Sequence, residues 1–168
     1  MVSAPGRVFW PLASLLLLAD CSTKRAIEAA LPVAGESKPI IDHVVQFTLA
    51  YNQGAAFATR LGSNQRWVMI GLVLAVLLVL ARSYRQITQR GRIGTVGLAL
   101  IVGGAVGNLL DRIISTRGVV DFIDVGIGSS RFYLFNVADA GVSVGAAVLA
   151  YAFWRDARAE RRRQGAAS

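Results

Sequence analysis

Three apolar runs constrain this chain more than any other feature: WVMIGLVLAVLLVLA at 67–81, IGTVGLALIVGGAVGNLL at 93–110 and FYLFNVADAGVSVGAAVLAYAFW at 132–154. A helix crosses a bilayer with roughly 20 mostly apolar residues, because it satisfies every backbone N–H and C=O within the segment. The run at 67–81 is short, but Arg66 and Arg82 lengthen it, since their charged ends can reach out to the interface. A fourth run, Val8 to Ala19, attains spanning length only if its helix continues through Asp20 and Lys24 to about Ala30. The chain is 54% hydrophobic and 17% charged, with a mean hydropathy of +0.51. We expect one all-α membrane domain over residues 1–168, a four-transmembrane-helix bundle with spans near 8–30, 66–82, 93–111 and 134–154 and a basic tail at 155–168.

The formal charge of +8 would suit nucleic acid, but its distribution argues otherwise. If the loops are assigned alternately to the two sides, one side carries Arg7 and the compact clusters at 82–92 and 155–163, and holds the whole net charge of +8. The other side is neutral. Basic residues near helix ends mark the cytoplasmic face, so both termini are expected there, with loops 25–66 and 111–131 outside. The tail RDARAERRRQ is read as a topology determinant in contact with lipid headgroups, and no nucleic-acid partner is expected.

The segment LLLLADCSTKR, in which leucines run into a cysteine near the N-terminus, has the look of a lipoprotein processing signal. The residue before such a cysteine is normally small, and here it is Asp20. Three further apolar runs also follow. Cys21 is therefore expected to be an unlipidated helix residue, and the first helix a retained anchor. A single cysteine permits no internal disulfide.

Between the first two spans, ALPVAGESKP is turn-rich and expected to be irregular, and HVVQFTLAYN has the β-branched and aromatic content of a short strand. NQGAAFA is read as a turn, and TRLGSNQRW as a short interfacial helix or loop. GVVDFIDVGIGSSRFYLFN suggests strand, glycine turn, strand. Together these segments would form a small sheet on the outward end of the bundle. Gly103 with Gly107, and Gly141 with Gly145, have the spacing that lets helix backbones approach closely, here within the bundle rather than between copies.

Ionisable groups at membrane depth are functional candidates. Asn108 and Arg112 are four apart and share a helix face, with which Asp111 aligns less well. Asn136, Asp139 and Ser143 share another, and Asp20 with Lys24 a third. Asp121 lies in the strand-like VVDFID, with Asp124 on the opposite face of that strand. Asp111 and Asp124 are read as solvated loop acids, and His43 as a lone loop histidine. Ser22 and Ser143 lack a histidine base, and no metal-ligand set, phosphate-binding loop or nucleophile elbow is present. Carboxylates remain. Two that share a site cannot both ionise easily, so one keeps a proton and the pair can run acid–base hydrolysis. Asp121 and Asp139 can converge in this way, although spacing alone does not single them out. A small transporter with Asp20 as its proton-coupled acid, or a non-catalytic scaffold, is the alternative at this point.

Taken together, DCSTK at 20–24, YNQGAAF at 51–57, GGAVGNLLDRI at 103–113, VVDF at 119–122 and FNVADAGVSVG at 135–145 decide among these. In this order, they resemble lipoprotein signal peptidase, the signal peptidase II family of bacterial membrane aspartic proteases. The resemblance implies a catalytic dyad of Asp121 and Asp139, and supporting roles for Asp20, Lys24, Asn52, Gly54, Asn108, Arg112, Asn136 and Ala138. It implies cleavage of diacylglyceryl-modified prolipoproteins just before the lipidated cysteine, at the outer face of the bacterial inner membrane. It implies no cofactor and no metal, and lipid-modified prolipoproteins and membrane lipids as partners of what is expected to be a monomer. Cys21 stands where the family often has Gln, while Asp20, Thr23 and Lys24 keep the pattern. The 30–42 loop is less family-like.

Overall fold

The computed structural model describes residues 5–42, 44–54, 64–127 and 130–165. The expected turn and interfacial segment at 55–63, and His43, lie outside them. Four long helices carry the fold: α1 (Gly6–Ala30), α2 (Gln65–Thr88), α3 (Arg92–Ile114) and α4 (Val137–Gly165). Strands β1 (Ser37–Ile41) and β2 (Val45–Asn52) follow α1, and β3 (Val119–Ile127) and β4 (Ser130–Arg131) follow α3.

Among the described residues, only α2, α3 and α4 are long and apolar enough to cross a membrane by length and composition. α1 has the length, with 25 residues, but Asp20, Lys24, Arg25 and Glu28 interrupt its C-terminal half. The helix runs unbroken through Cys21. α4 carries straight on into the basic tail, and α2 reaches six residues past the expected end. In both, residues with good helix propensity continue the helix beyond the apolar run.

Small residues set the packing. A Cβ on Gly97 would lie 2.9 Å from the Gly145 carbonyl oxygen, and one on Gly104 would lie 2.4 Å from that of Ala138, so α3 and α4 run antiparallel with backbones touching. On the other side of α3, Gly103 meets Ala13 and Gly107 meets Asp20, which sets α1 parallel to α3. Gly141 packs on Leu16 of α1. All four G-x-x-x-G glycines thus face helices of the same chain, as expected. The buried cluster of Phe9, Ala13, Ile87, Leu98 and Ala99 lies at the end of the bundle where α2 turns into α3.

At the opposite end the strands form one antiparallel sheet in the order β1-β2-β3-β4. β1 was not expected, because SKPII lies partly in the stretch read as irregular; its pairing with β2 creates it. The sheet is fixed to the bundle by a second apolar cluster, in which Ile27 and Leu31 from the end of α1 meet Leu49, Val120 and Phe122.

One irregularity in the sheet sets which side chains meet. Gln46 pairs with Asp124 and Ala50 with Asp121, but the register shifts between Phe47 and Ala50. In an unbroken strand Gln46 and Asn52 would share a face, while Asp121 and Asp124 point to opposite faces. The bulge inserts one residue and flips the phase. Asn52 can then bond Asp121 on one face while Gln46 bonds Asp124 on the other.

Candidate active site

The chain returns to β3 just before α4 begins. Phe135 donates to the Ile123 carbonyl at 3.2 Å, and its own carbonyl accepts from Phe122 and Ile123 at 3.1 and 2.8 Å. This fastening sets Asn136 beside Asp121. The Asn136 amide donates to Asp121 Oδ1 at 2.7 Å, to the Val120 carbonyl at 3.2 Å and to Asn108 Oδ1 at 3.1 Å. Asn136 Oδ1 accepts from the Asp139 backbone N–H at 2.8 Å, and the Asn136 N–H donates to Asp139 Oδ2 at 3.2 Å. That reciprocal pair caps α4 in the manner of a capping box. It also holds Asp139 in the first turn of α4.

Asp139 Oδ1 accepts from Asn108 Nδ2 at 2.7 Å. Asp121 Oδ2 accepts from Asn52 Nδ2 at 2.9 Å. Asn136 and Asn108 therefore bridge the two carboxylates from β3 to α4. Asn136 is fully buried and Asp121 is 2% exposed, whereas Asp139 is partly open. Burial is the largest influence on Asp121 and raises its carboxyl to about 6; the Asn52 hydrogen bond opposes this, the Asp139 charge adds to it, and Asn136 opposes it again.

Each remaining residue named from the resemblance is placed by a specific contact. Gly54 sits at φ +95°, a conformation glycine adopts without steric cost. Its N–H donates to Asn52 Oδ1 at 2.8 Å, leaving the Asn52 amide to face Asp121. Lys24 reaches the network through Asn108 Oδ1 at 3.1 Å and forms ion pairs with Asp20 at 2.7 Å and Asp111 at 2.8 Å. Asp20, fully buried, also accepts the Ala138 N–H at 2.9 Å, tying α1 to the start of α4. Ala138 itself must be small, because its backbone lies against Gly104. Arg112 donates to the Asn108 carbonyl at 3.0 Å and, with Asn52, lines a polar cavity of about 250 Å³ between α2 and α3 that neither aspartate lines.

Several expectations are corrected here. Asp111 is not a solvated loop acid: it lies on α3, pairs with Lys24 and accepts the Val120 N–H at 3.3 Å. Its spacing of three from Asn108 is enough for one lysine to serve both. Asp124 is buried, held by Arg131 at 2.8 Å, Thr48 at 3.2 Å and the Gln46 amide. Burial pushes its carboxyl up, but the contacts with Arg131, Gln46 and Thr48 together outweigh it and pull the carboxyl below the usual range. Ser143 is exposed and makes no bond to the site residues, although it was read onto their face. Arg66, expected only to lengthen its span, also donates to the carbonyls of Arg112 and Ile113 at 2.6 and 2.7 Å, capping the end of α3. Gln65 was missed altogether; it is buried and its amide donates to the Gly54 carbonyl at 2.6 Å. Nothing in a polar helix start distinguishes such a residue beforehand. Among the described residues no cluster of His, Cys, Asp and Glu is arranged to hold a metal ion.

The stretch of chain that carries these residues is also the stretch matched by known proteins. The family model described as signal peptidase (SPase) II matches residues 12–155. A lipoprotein signal peptidase of Hydrogenovibrio crunogenus is 38% identical over 154 residues, covering 90% of this chain and 88% of its relative. One from Pseudomonas putida is 37% identical, covering 92% of each chain. A bacterial membrane enzyme solved in meso at 1.9 Å resolution superposes with a TM-score of 0.76 at 30% identity, covering 86% of this chain and 91% of the other. With a match that takes in both aspartates, the asparagines between them and the helices that carry them, the chain belongs to the signal peptidase II family.

Proposed function

We propose that this chain is an aspartic endopeptidase that removes signal peptides from diacylglyceryl-modified prolipoproteins, cutting before the lipidated cysteine. The observation that carries the proposal is the pair of asparagines, Asn108 and Asn136, bonded between Asp121 and Asp139. They hold the two carboxyls as one acid–base unit. Asp121, whose carboxyl burial raises, is the member to carry the shared proton. Asp139, at the start of α4 and bonded by Asn108, is the member to act as carboxylate.

In the reaction Asp139 takes a proton from water, and the water oxygen attacks the scissile carbonyl. Asp121 gives its proton to the carbonyl oxygen as the tetrahedral intermediate forms. On collapse the hydroxyl returns its proton to Asp121, Asp139 protonates the departing nitrogen, and the C–N bond breaks to a carboxylic acid and an amine. Arg112 and Asn52, beside the polar cavity, would meet the substrate backbone. Asp20, Lys24 and Asp111 act through others: they fix Asn108 and the start of α4. This engagement also speaks against Asp20 as the acid of a transporter, since its carboxylate is committed to Lys24 and the Ala138 N–H.

α1 is taken as the fourth span, its buried charges shielded against α3 and α4. The up-down arrangement then puts both chain ends on the side carrying Arg90, Arg155 and the basic tail, and the sheet with the dyad on the other. Under the positive-inside rule this is a cytoplasmic-membrane protein with an outward-facing site. The test is incubation of the purified chain with a diacylglyceryl-modified prolipoprotein and with the same precursor unmodified. Mass spectrometry should find a new N-terminus at the lipidated cysteine of the first only. Cleavage elsewhere, or no cleavage, would remove the proposal.

A further inference from the structure

We propose that the end of the bundle remote from Asp121 and Asp139 carries a binding site for one anionic phospholipid. There a groove of about 760 Å³ opens between α1 and α2. α1 lines it with Phe9 and Trp10, α2 with Leu77 and Leu80, and α3 with Leu98, Val102 and Val106. At 1.5 Å per residue the α3 lining is about 12 Å long. Phe9 and Tyr84 meet edge to face, with ring centroids 5.2 Å apart, where the two helices come together.

Arg82 and Arg85 stand at this same place, on the groove wall. Both are exposed, and neither guanidinium has a hydrogen bond or an ion pair among the described residues. Of the other arginines at this end, Arg90 and Arg155 both hold Asp156 and Arg158 lies over the Trp154 ring, while Arg7, Arg92, Arg161, Arg162 and Arg163 are not part of the groove wall. No acidic residue lines the groove. An apolar channel therefore leads to two cations that no described residue neutralises, with a tyrosine between them in sequence and an exposed tryptophan opposite. That is the complement of a phospholipid: acyl chain along the leucines and valines, phosphate between the guanidiniums, and Trp10 and Tyr84 at headgroup depth. A zwitterionic headgroup would bring a further cation to the arginines, so a headgroup of net negative charge is preferred.

The site is distinct from the dyad, and its test reads bound lipid rather than cleavage, so either reading can fail without the other. The full chain, purified in detergent, is mixed with equal amounts of phosphatidylglycerol and phosphatidylethanolamine and analysed by native mass spectrometry. One phosphatidylglycerol adduct should persist where phosphatidylethanolamine is stripped. Arg82→Gln with Arg85→Gln should weaken it roughly thirtyfold, from the usual contribution of a basic residue near an anionic lipid. Ala81→Trp, which fills the groove and leaves both charges, should also displace it, while Arg158→Gln with Arg162→Gln should not. Equal retention of the two lipids, an adduct unchanged in both groove variants, competition by free glycerophosphate as strong as by the lipid, or a second copy of the chain on this face would each overturn the proposal.

Discussion

Asp121→Asn should abolish the proposed acid–base chemistry and yet remove a stability penalty that grows with pH. Asp121 is 2% exposed, and its carboxyl is raised from 3.8 to about 6, by burial first of all. A group that binds its proton more tightly folded than unfolded favours the fold fully below about pH 4. It loses that contribution as pH rises through about 6. A shift of about 2 units at 1.36 kcal/mol each gives about 3 kcal/mol. Asparagine has no charge to desolvate, so the variant lacks this slope. It does carry a constant cost: its NH₂ would face the amide NH₂ of Asn52 or Asn136, about 1–3 kcal/mol unless that amide turns over. Unfolding of both proteins in one detergent, from pH 4 to about 8, is the assay. Contributions from other titrating groups cancel in the difference. The variant should gain about 3 kcal/mol on the wild type between about pH 4 and 7 and nothing beyond. Parallel curves would refute the reasoning.

Three further outcomes follow from the packing. Lys24→Met leaves Asp20 and Asp111 without their cation, and should cost about 3–5 kcal/mol of stability in the same assay; a loss under about 1 kcal/mol would mean that the pairs contribute little. Gly107→Ala would set its methyl 2.6 Å from Asp20 Oδ2 and should cost about 1–3 kcal/mol, whereas Gly71→Ala, which meets nothing within 4 Å, should be tolerated. Asp124→Asn should keep cleavage activity but loosen the β3–β4 hairpin, seen as faster amide exchange at 123–131. Because the Asp124 carboxyl is lowered, its stabilisation is present at neutral pH and fades as pH falls through the carboxylate range.

Much of the bundle was legible because apolar runs and their basic borders obey membrane constraints that act locally. The glycine pairs gave away the helix contacts for the same reason, since close approach needs small residues wherever it happens. α1 was the exception. Its C-terminal half reads as too polar to be buried, and only the structure supplies the partners, Asn108, Asp111 and the Ala138 N–H, that permit it. Asp111 and Asp124 were misread on the same ground: a carboxylate beside a loop looks solvated until its cation, from 87 residues away on α1 or from the next strand, is known. The pairing of Asp121 with Asp139 was suggested by family resemblance rather than by spacing. What binds it together depends on the β2 bulge and the Phe135 bridge, two features of register that no run of residue types announces.

The central claim is that Asp121 and Asp139 act as one acid–base unit, and its most direct test is a mutant cycle on a lipidated prolipoprotein. Asp121→Asn and Asp139→Asn, each shown to be folded, should lower turnover by about 10²–10⁴-fold or more. The double variant should be hardly worse than either single one, because the first loss already disables the pair. Substantial turnover in Asp139→Asn, or losses that multiply in the double variant, would contradict the account.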